Sequence, residues 1–155
     1  MKTLIVYDTV WGNTEQIARA IAEAIPGDVK LVKAGEADAA STGSFDMLLV
    51  GSPTQGGRPI KSVQAFIDSI PAGGLSKTGV AAFDTRTEIT GGFIRFLTKM
   101  FGYAAPRLAD ALKNKGGQSA APPGGFTVNG REGPLITGEL ERAAQWAKDL
   151  AAKTG

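Results

Sequence analysis

The sequence contains no cysteine and no histidine. The first absence removes disulfides, thiolate nucleophiles and iron–sulfur ligation; the two together remove most zinc sites and every triad or proton shuttle built on imidazole. Any redox chemistry in such a chain has to come from a bound organic cofactor. Long apolar runs are missing as well: no stretch approaches the roughly 18 residues that a membrane helix needs. Met1-Lys2-Thr3 leads straight into the strand-like Leu4 to Tyr7, leaving no room for a signal peptide, so a cytoplasmic location is expected. Charge of one sign is scarce too. The formal net charge is +2, and no basic block on the order of five or six residues occurs, so the footprint of a nucleic-acid binder is lacking and the charges read as a mixed solvated surface.

What is present is a regular alternation. With 155 residues the chain has the size for one hydrophobic core, and a single domain over 1–155 is expected. Leu4-Ile5-Val6-Tyr7 is a short continuous apolar run, as in a parallel strand buried on both faces. Thr14 to Ile25 reads as a helix, with Ile17, Ala18, Ile21 and Ile25 on one stripe and Pro26-Gly27 ending it. Val29–Val32 and Met47–Val50 give two more strands, the latter bounded by Gly51-Ser52-Pro53. Ile60, Val63, Phe66, Ile67 and Ile70 mark a second helix, Val80–Phe83 a fourth strand, and Phe93, Ile94, Leu97 and Phe101 a third helix. From Gly102 to Lys115 the residues are helix-like and Ala-rich. Gln118–Ala121 and Phe126–Val128 then read as two short strands, the second as a further half of an interrupted fifth strand. A last helix runs from a Thr137 cap through Leu140, Ala143, Ala147 and Leu150, with Glu139 and Glu141 in its first turn.

Five strands alternating with helices predict an α/β fold with an open, doubly wound sheet, whose ligands bind beyond the carboxyl ends of the strands. The loops after the first, third and fourth strands are therefore the ones to inspect. The first is Asp8-Thr9-Val10-Trp11-Gly12-Asn13-Thr14. It offers two Thr hydroxyls, an Asn amide and a Gly at the start of a helix, whose unpaired N–H groups and dipole can hold a phosphate without Lys or Arg. An ordinary βα turn with a Thr cap has the same composition. A Walker-type loop is excluded, since Gly74-Leu75-Ser76-Lys77-Thr78 precedes a strand instead of opening a helix. The second loop, Gly51 to Pro59, contains Pro53-Thr54-Gln55-Gly56-Gly57, and the third begins Asp84-Thr85-Arg86.

Thr9 to Thr14 beside Tyr7, with Ala18 and Ile21 on the helix that follows, resembles the phosphate-binding signature of flavodoxins. Pro53-Thr54-Gln55-Gly56-Gly57 and Asp84-Thr85-Arg86 stand where that family's two ring-flanking loops lie, and the similarity extends to Gly133-Pro134 before the last helix. The resemblance implies a three-layer fold with a five-stranded parallel sheet in the order 2-1-3-4-5. It also implies FMN, with its 5′-phosphate on Thr9, Val10, Trp11, Gly12, Asn13 and Thr14. Its ring edge would then rest against Pro53, Thr54, Gln55, Gly56 and Gly57 on one side and Asp84, Thr85 and Arg86 on the other. The function it implies is electron transfer, with transient redox partners: a reductase and an electron acceptor.

Two departures from the usual carrier stand out. The second and third loops lack Tyr and Trp, leaving Trp11 and Phe93 as nearby aromatics, either to stack on a ring or to pack on the protein. Arg58, Lys61 and Arg86 accompany the acids Asp8, Asp84 and Glu88; Arg86 reads either as a cation raising the potential of bound FMN or as a solvated surface group. Open, aromatic-poor loops also suit an FMN-dependent oxidoreductase similar to the quinone reductases or protoporphyrinogen oxidases of the same superfamily. A flavin-free interaction module is the third alternative. A receiver-like signalling domain shares the sheet topology but needs a phospho-accepting Asp where this chain has Gly51-Ser52-Pro53-Thr54. No catalytic residue and no metal ligand is assigned.

Overall fold

A computed structural model describes residues 1–87 and 102–154. The strands are β1 (Lys2–Tyr7), β2 (Asp28–Lys33), β3 (Met47–Gln55), β4 (Arg58–Pro59), β5 (Gly79–Thr87), β6 (Gln118–Ser119) and β7 (Gly124–Val128). The α-helices among the described residues are α1 (Asn13–Ala24), α2 (Lys61–Asp68), α3 (Ala104–Asn114) and α4 (Glu139–Thr154), with short 3-10 turns at Ala34–Glu36 and Ala39–Ser44. The stripe at Phe93, Ile94, Leu97 and Phe101, and the loop residues from Glu88 to Gly92, lie outside the described residues.

The sheet runs β2-β1-β3-β5-β6, and β7 also pairs with β5. Gln118 and Ser119 lie beside Gly79 and Val80, and Gly124 to Val128 beside Phe83 to Thr87, all parallel. The fifth strand is thus one line broken in two, with Pro122-Pro123 in the gap, where the missing N–H groups could not continue a ladder. Together β6 and β7 complete the 2-1-3-4-5 order of a doubly wound, flavodoxin-like sheet.

Alternation along each strand sorts the core into two layers. Leu4, Val6, Leu48, Val50, Val80 and Ala82 face Val63, Phe66 and Ile67 of α2 and Leu108 and Leu112 of α3. Ile5, Tyr7, Leu49, Ala81 and Phe83 face Ile17 and Ile21 of α1 and Ala143, Ala147 and Leu150 of α4. Every one of these side chains is buried, which is why the strands read as unbroken apolar runs.

Three boundaries differ from the sequence reading, the two at strand ends for a tertiary reason. The turn-like Gly51-Ser52-Pro53 does not end β3: Gly51, Ser52 and Pro53 continue the ladder opposite Phe83, Asp84 and Thr85 of β5. Consequently Pro53, Thr54 and Gln55 are strand, and a Gly56-Gly57 turn, with φ of +58° and +77°, folds the chain back into β4. Positive φ at both central residues is the geometry that favours glycine in a tight hairpin. By the same pairing, Asp84, Thr85 and Arg86 belong to β5 and not to a loop. The last helix takes its cap from Gly138, whose carbonyl accepts from Arg142 N at 3.0 Å, one residue past the expected Thr137. No helix among the described residues is long and apolar enough to cross a membrane.

Candidate functional site

The loop between β1 and α1 is held open at its centre. Asp8 Oδ1 accepts from Thr9 N at 2.8 Å and Asp8 Oδ2 from Ser62 Oγ at 2.7 Å, so this carboxylate serves the loop's base. Thr9 Oγ1 accepts from Gly12 N at 2.9 Å, curling the chain into α1. Gly12, with φ +91°, is the N-cap and has no side chain to give, and no side chain caps the helix from elsewhere. Among the described residues no acceptor takes the amides of Val10, Trp11, Asn13 or Thr14. Asn13 and Thr14 are nonetheless buried. Backbone N–H groups without partners on buried residues are uncommon in folded proteins and suit an acceptor from outside the chain.

A second unsatisfied donor lies beside them. Thr14 Oγ1 and Thr85 Oγ1 are 2.8 Å apart, and both residues are buried. One hydrogen bond consumes one of the two hydroxyl protons; the other remains to be given.

These groups open onto a cavity of about 340 Å³, within the range of small-molecule sites, roughly 300–1,000 Å³. Of the residues read from the sequence, Thr9, Val10, Trp11, Asn13, Thr14, Pro53, Thr54, Gln55, Gly56, Thr85 and Arg86 line it, whereas Gly12, Gly57 and Asp84 do not. Gly12 and Gly57 shape turns, and Asp84 is buried beneath Arg86. Trp11 is half exposed at the loop's apex, and Phe93 lies outside the described residues.

Among the described residues Thr87, Val128 and Arg131 also line it, and the sequence reading did not find them. Their wall is the turn after β7, fastened to the first loop by Asn13 Nδ2, which donates to Glu132 O at 3.0 Å. A Cβ on Gly133 would come within 2.6 Å of Asn13 Oδ1, so the close approach requires glycine there. The available signal was the Asn129-Gly130 turn dipeptide at the carboxyl end of the fifth strand, the same edge as the other loops.

Arg86 is not a free surface cation. Its Nε and Nη2 donate to Asp84 Oδ1 and Oδ2, each at 2.7 Å, and its Cζ lies 3.5 Å from the centre of the Tyr103 ring. Asp84 Oδ2 also accepts from Ala105 N at 2.8 Å, and Thr54 Oγ1 accepts from Ala104 N at 3.0 Å, so both cap the start of α3. Tyr103 was missed because it is distant in sequence and its role is to stack on a guanidinium.

The model of the flavodoxin domain matches residues 4–97. The chain belongs to the flavodoxin family. No curated protein sequence matches it closely enough to count as a relative. Among solved structures, a flavodoxin from the domain Archaea superposes with a TM-score of 0.77 at 20% identity, covering 99% of each chain. Flavodoxin 2 from Bacillus cereus gives 0.77 at 21%, again covering 99% of both. Rubredoxin oxygen:oxidoreductase from Desulfovibrio gigas gives 0.70 at 24%, covering 98% of this chain but only 36% of the larger protein.

Flavodoxins bind FMN and transfer electrons, and this chain is a flavodoxin-like electron-transfer protein. The donor set fits a nucleotide tail: orphan amides at a helix start, a spare hydroxyl proton, two arginines and, among the described residues, no carboxylate in the lining. Among the described residues no group of three acidic side chains is placed to hold a metal ion.

The flavodoxin loop is also braced from below. Tyr7 OH, at the end of β1, donates to Glu15 Oε1 in the first turn of α1 at 2.6 Å. Burial, and then the bond to Glu15, push the phenol up to about 12; the same bond holds the Glu15 carboxyl below its ordinary range. At the far side, Glu139 accepts from Thr127 N at 2.6 Å and from Arg142, tying α4 to β7. Arg142 chiefly holds the Glu139 carboxyl below its ordinary range.

Proposed function

We propose that this protein is a single-domain carrier that holds FMN in the cavity at the strand ends and exchanges electrons by transient contact with a separate reductase and a separate acceptor. The observation that carries the reading is the pair of partnerless amides on the buried residues Asn13 and Thr14, beside the Thr14–Thr85 hydroxyl pair.

FMN, when bound, supplies the electron chemistry that a chain without cysteine or histidine lacks. The first loop would hold its phosphate through main-chain amides and the α1 dipole, and Thr14 or Thr85 would donate a hydrogen bond to it from the hydroxyl left free by their pairing. Pro53, Thr54, Gln55 and Gly56 on one wall, and Thr85, Arg86 and Thr87 on the other, would orient the ring. Both walls are built on paired β-structure, which keeps their amides fixed while charge on the ring changes. Trp11 and Val10 stay exposed at the rim, where a partner protein can cover them.

The test is preparative. The purified protein is yellow, and denaturation releases one FMN per chain; a colourless protein that refuses added FMN contradicts the reading. Incubation with NADPH and a quinone, without added reductase, gives no steady turnover for a carrier, whereas turnover assigns the chain to the oxidoreductases.

A further inference from the structure

Arg131 has no counterpart among the residues that the sequence brought forward. It sits on a short strap, residues 129–134, whose ends are pinned: Asn129 N donates to Pro134 O at 2.7 Å, and Val128 bridges Leu135. Its tip is pinned as well, because the neighbouring Glu132 carbonyl accepts from Asn13 Nδ2 and Gly133 packs against the same amide. The strap thus holds Arg131 beside the start of α1, and Arg131 lines the cavity there. Its guanidinium makes no ion pair among the described residues, not even with Glu132 next to it in the chain. The other arginine of the lining, Arg86, is by contrast neutralised by Asp84. A cation carried on a pinned backbone, lining the same cavity as amides that await an anion and paired with no carboxylate among the described residues, is complementary to an anionic ligand.

We propose that Arg131 is a binding residue for the phosphate monoester end of the ligand, the side-chain cation that the first loop itself lacks. This rests on the reading that FMN occupies the cavity with its phosphate at the start of α1. Two consequences follow from charge. Affinity for a phosphorylated flavin falls as salt rises, since Arg131 is exposed and its field is screened within a Debye length, about 8 Å at 0.15 M ionic strength. The chain also separates FMN from riboflavin by more than the loop amides alone provide.

The experiment is a fluorescence titration of the apoprotein with FMN and with riboflavin, at low and at high salt. It compares the wild type, Arg131→Gln, Arg131→Lys and Arg58→Gln, the last removing an exposed cation from the hairpin as a control for net charge. Circular dichroism confirms that each variant is folded. Arg131→Gln is expected to weaken FMN about 10-fold, which is about 1.4 kcal/mol, to leave riboflavin within 2-fold and to flatten the salt dependence. Arg131→Lys restores part of the loss, and Arg58→Gln changes neither flavin by more than 2-fold. Equal losses for both flavins, an unchanged FMN affinity, or an equal effect of Arg58→Gln would each overturn the proposal. A wild-type apoprotein that takes up neither flavin overturns the cofactor reading itself and this proposal with it. Normal FMN uptake with an indifferent Arg131→Gln overturns this proposal alone.

Discussion

Arg86 grips Asp84 through two contacts of 2.7 Å, Nε to Oδ1 and Nη2 to Oδ2, and the Asp84 side chain is wholly buried while Arg86 keeps 23% of its surface. The same carboxylate caps Ala105 at the start of α3. The pair therefore joins β5 to α3 and sets a fixed, locally neutral group at the cavity wall.

Removing one partner leaves a buried carboxylate without its cation. Arg86→Met is expected to cost about 3–5 kcal/mol, measured as a fall in the urea midpoint at unchanged slope. Asp84→Asn combined with Arg86→Met costs less than Arg86→Met alone, because the uncompensated charge has gone. Equal or greater loss in the double variant contradicts the account.

The pairing also bears on redox tuning. A lone charge about 8 Å from the flavin at an effective dielectric near 20 is worth about 2 kcal/mol, or roughly 90 mV for one electron. A neutral pair is worth far less. In a potentiometric titration at neutral pH, Arg86→Gln lowers the FMN midpoint, Asp84→Asn raises it, and the double variant returns close to the wild type. A double variant that keeps the shift of either single one rejects the cancellation.

Many residues of the cavity lining could be picked out from the sequence, and the limits have physical causes. The first loop drew notice because Gly, Asn and two Thr stand at a helix start beyond a strand's carboxyl end, a pattern shared with an ordinary capped turn, and Thr9, Val10, Trp11, Asn13 and Thr14 all line the cavity. The Leu4–Tyr7, Met47–Val50 and Val80–Phe83 runs located the central strands, since doubly buried strands need no alternation. The strand extensions at Gly51–Gln55 and Asp84–Thr87 were hidden: Gly, Ser and Pro there signal a turn locally, and only the neighbouring strand keeps them extended. Tyr103 and Arg131 were hidden for a different reason. Each acts by a contact across the fold, with Arg86 and with the first loop, and no periodicity encodes such a contact.

The Thr14–Thr85 hydroxyl pair gives a coupled effect. Thr14→Val and Thr85→Val are each expected to weaken FMN binding about 10-fold, because either removes the relay that leaves one proton for the ligand. The double variant loses less than the product of the two, as for residues that act through one bond. Strictly multiplicative losses in a fluorescence titration contradict a shared role.

Tyr7 and Glu15 give a pH dependence with a defined sign. The unfolded phenol ionises near 10, the folded one only at about 12. This stability is complete below pH 10 and is lost as pH rises toward 12, where the unfolded state alone has released its proton at first. Glu15, lowered in the fold, contributes stability above its ordinary value of 4.5 that is lost as pH falls through the folded value. Tyr7→Phe is expected to cost about 1 kcal/mol at neutral pH and to reduce both slopes in urea midpoints taken across pH. Slopes identical to the wild type contradict the assignment.

The central claim is that the free amides at the start of α1 hold the phosphate of FMN, and amide NMR of the apoprotein during titration with FMN and with riboflavin reads this most directly. The account predicts large downfield proton shifts at the amides of Asn13 and Thr14 with FMN, and much smaller ones with riboflavin. Amides there that stay where they were while FMN binds, or that shift equally with both flavins, would contradict it.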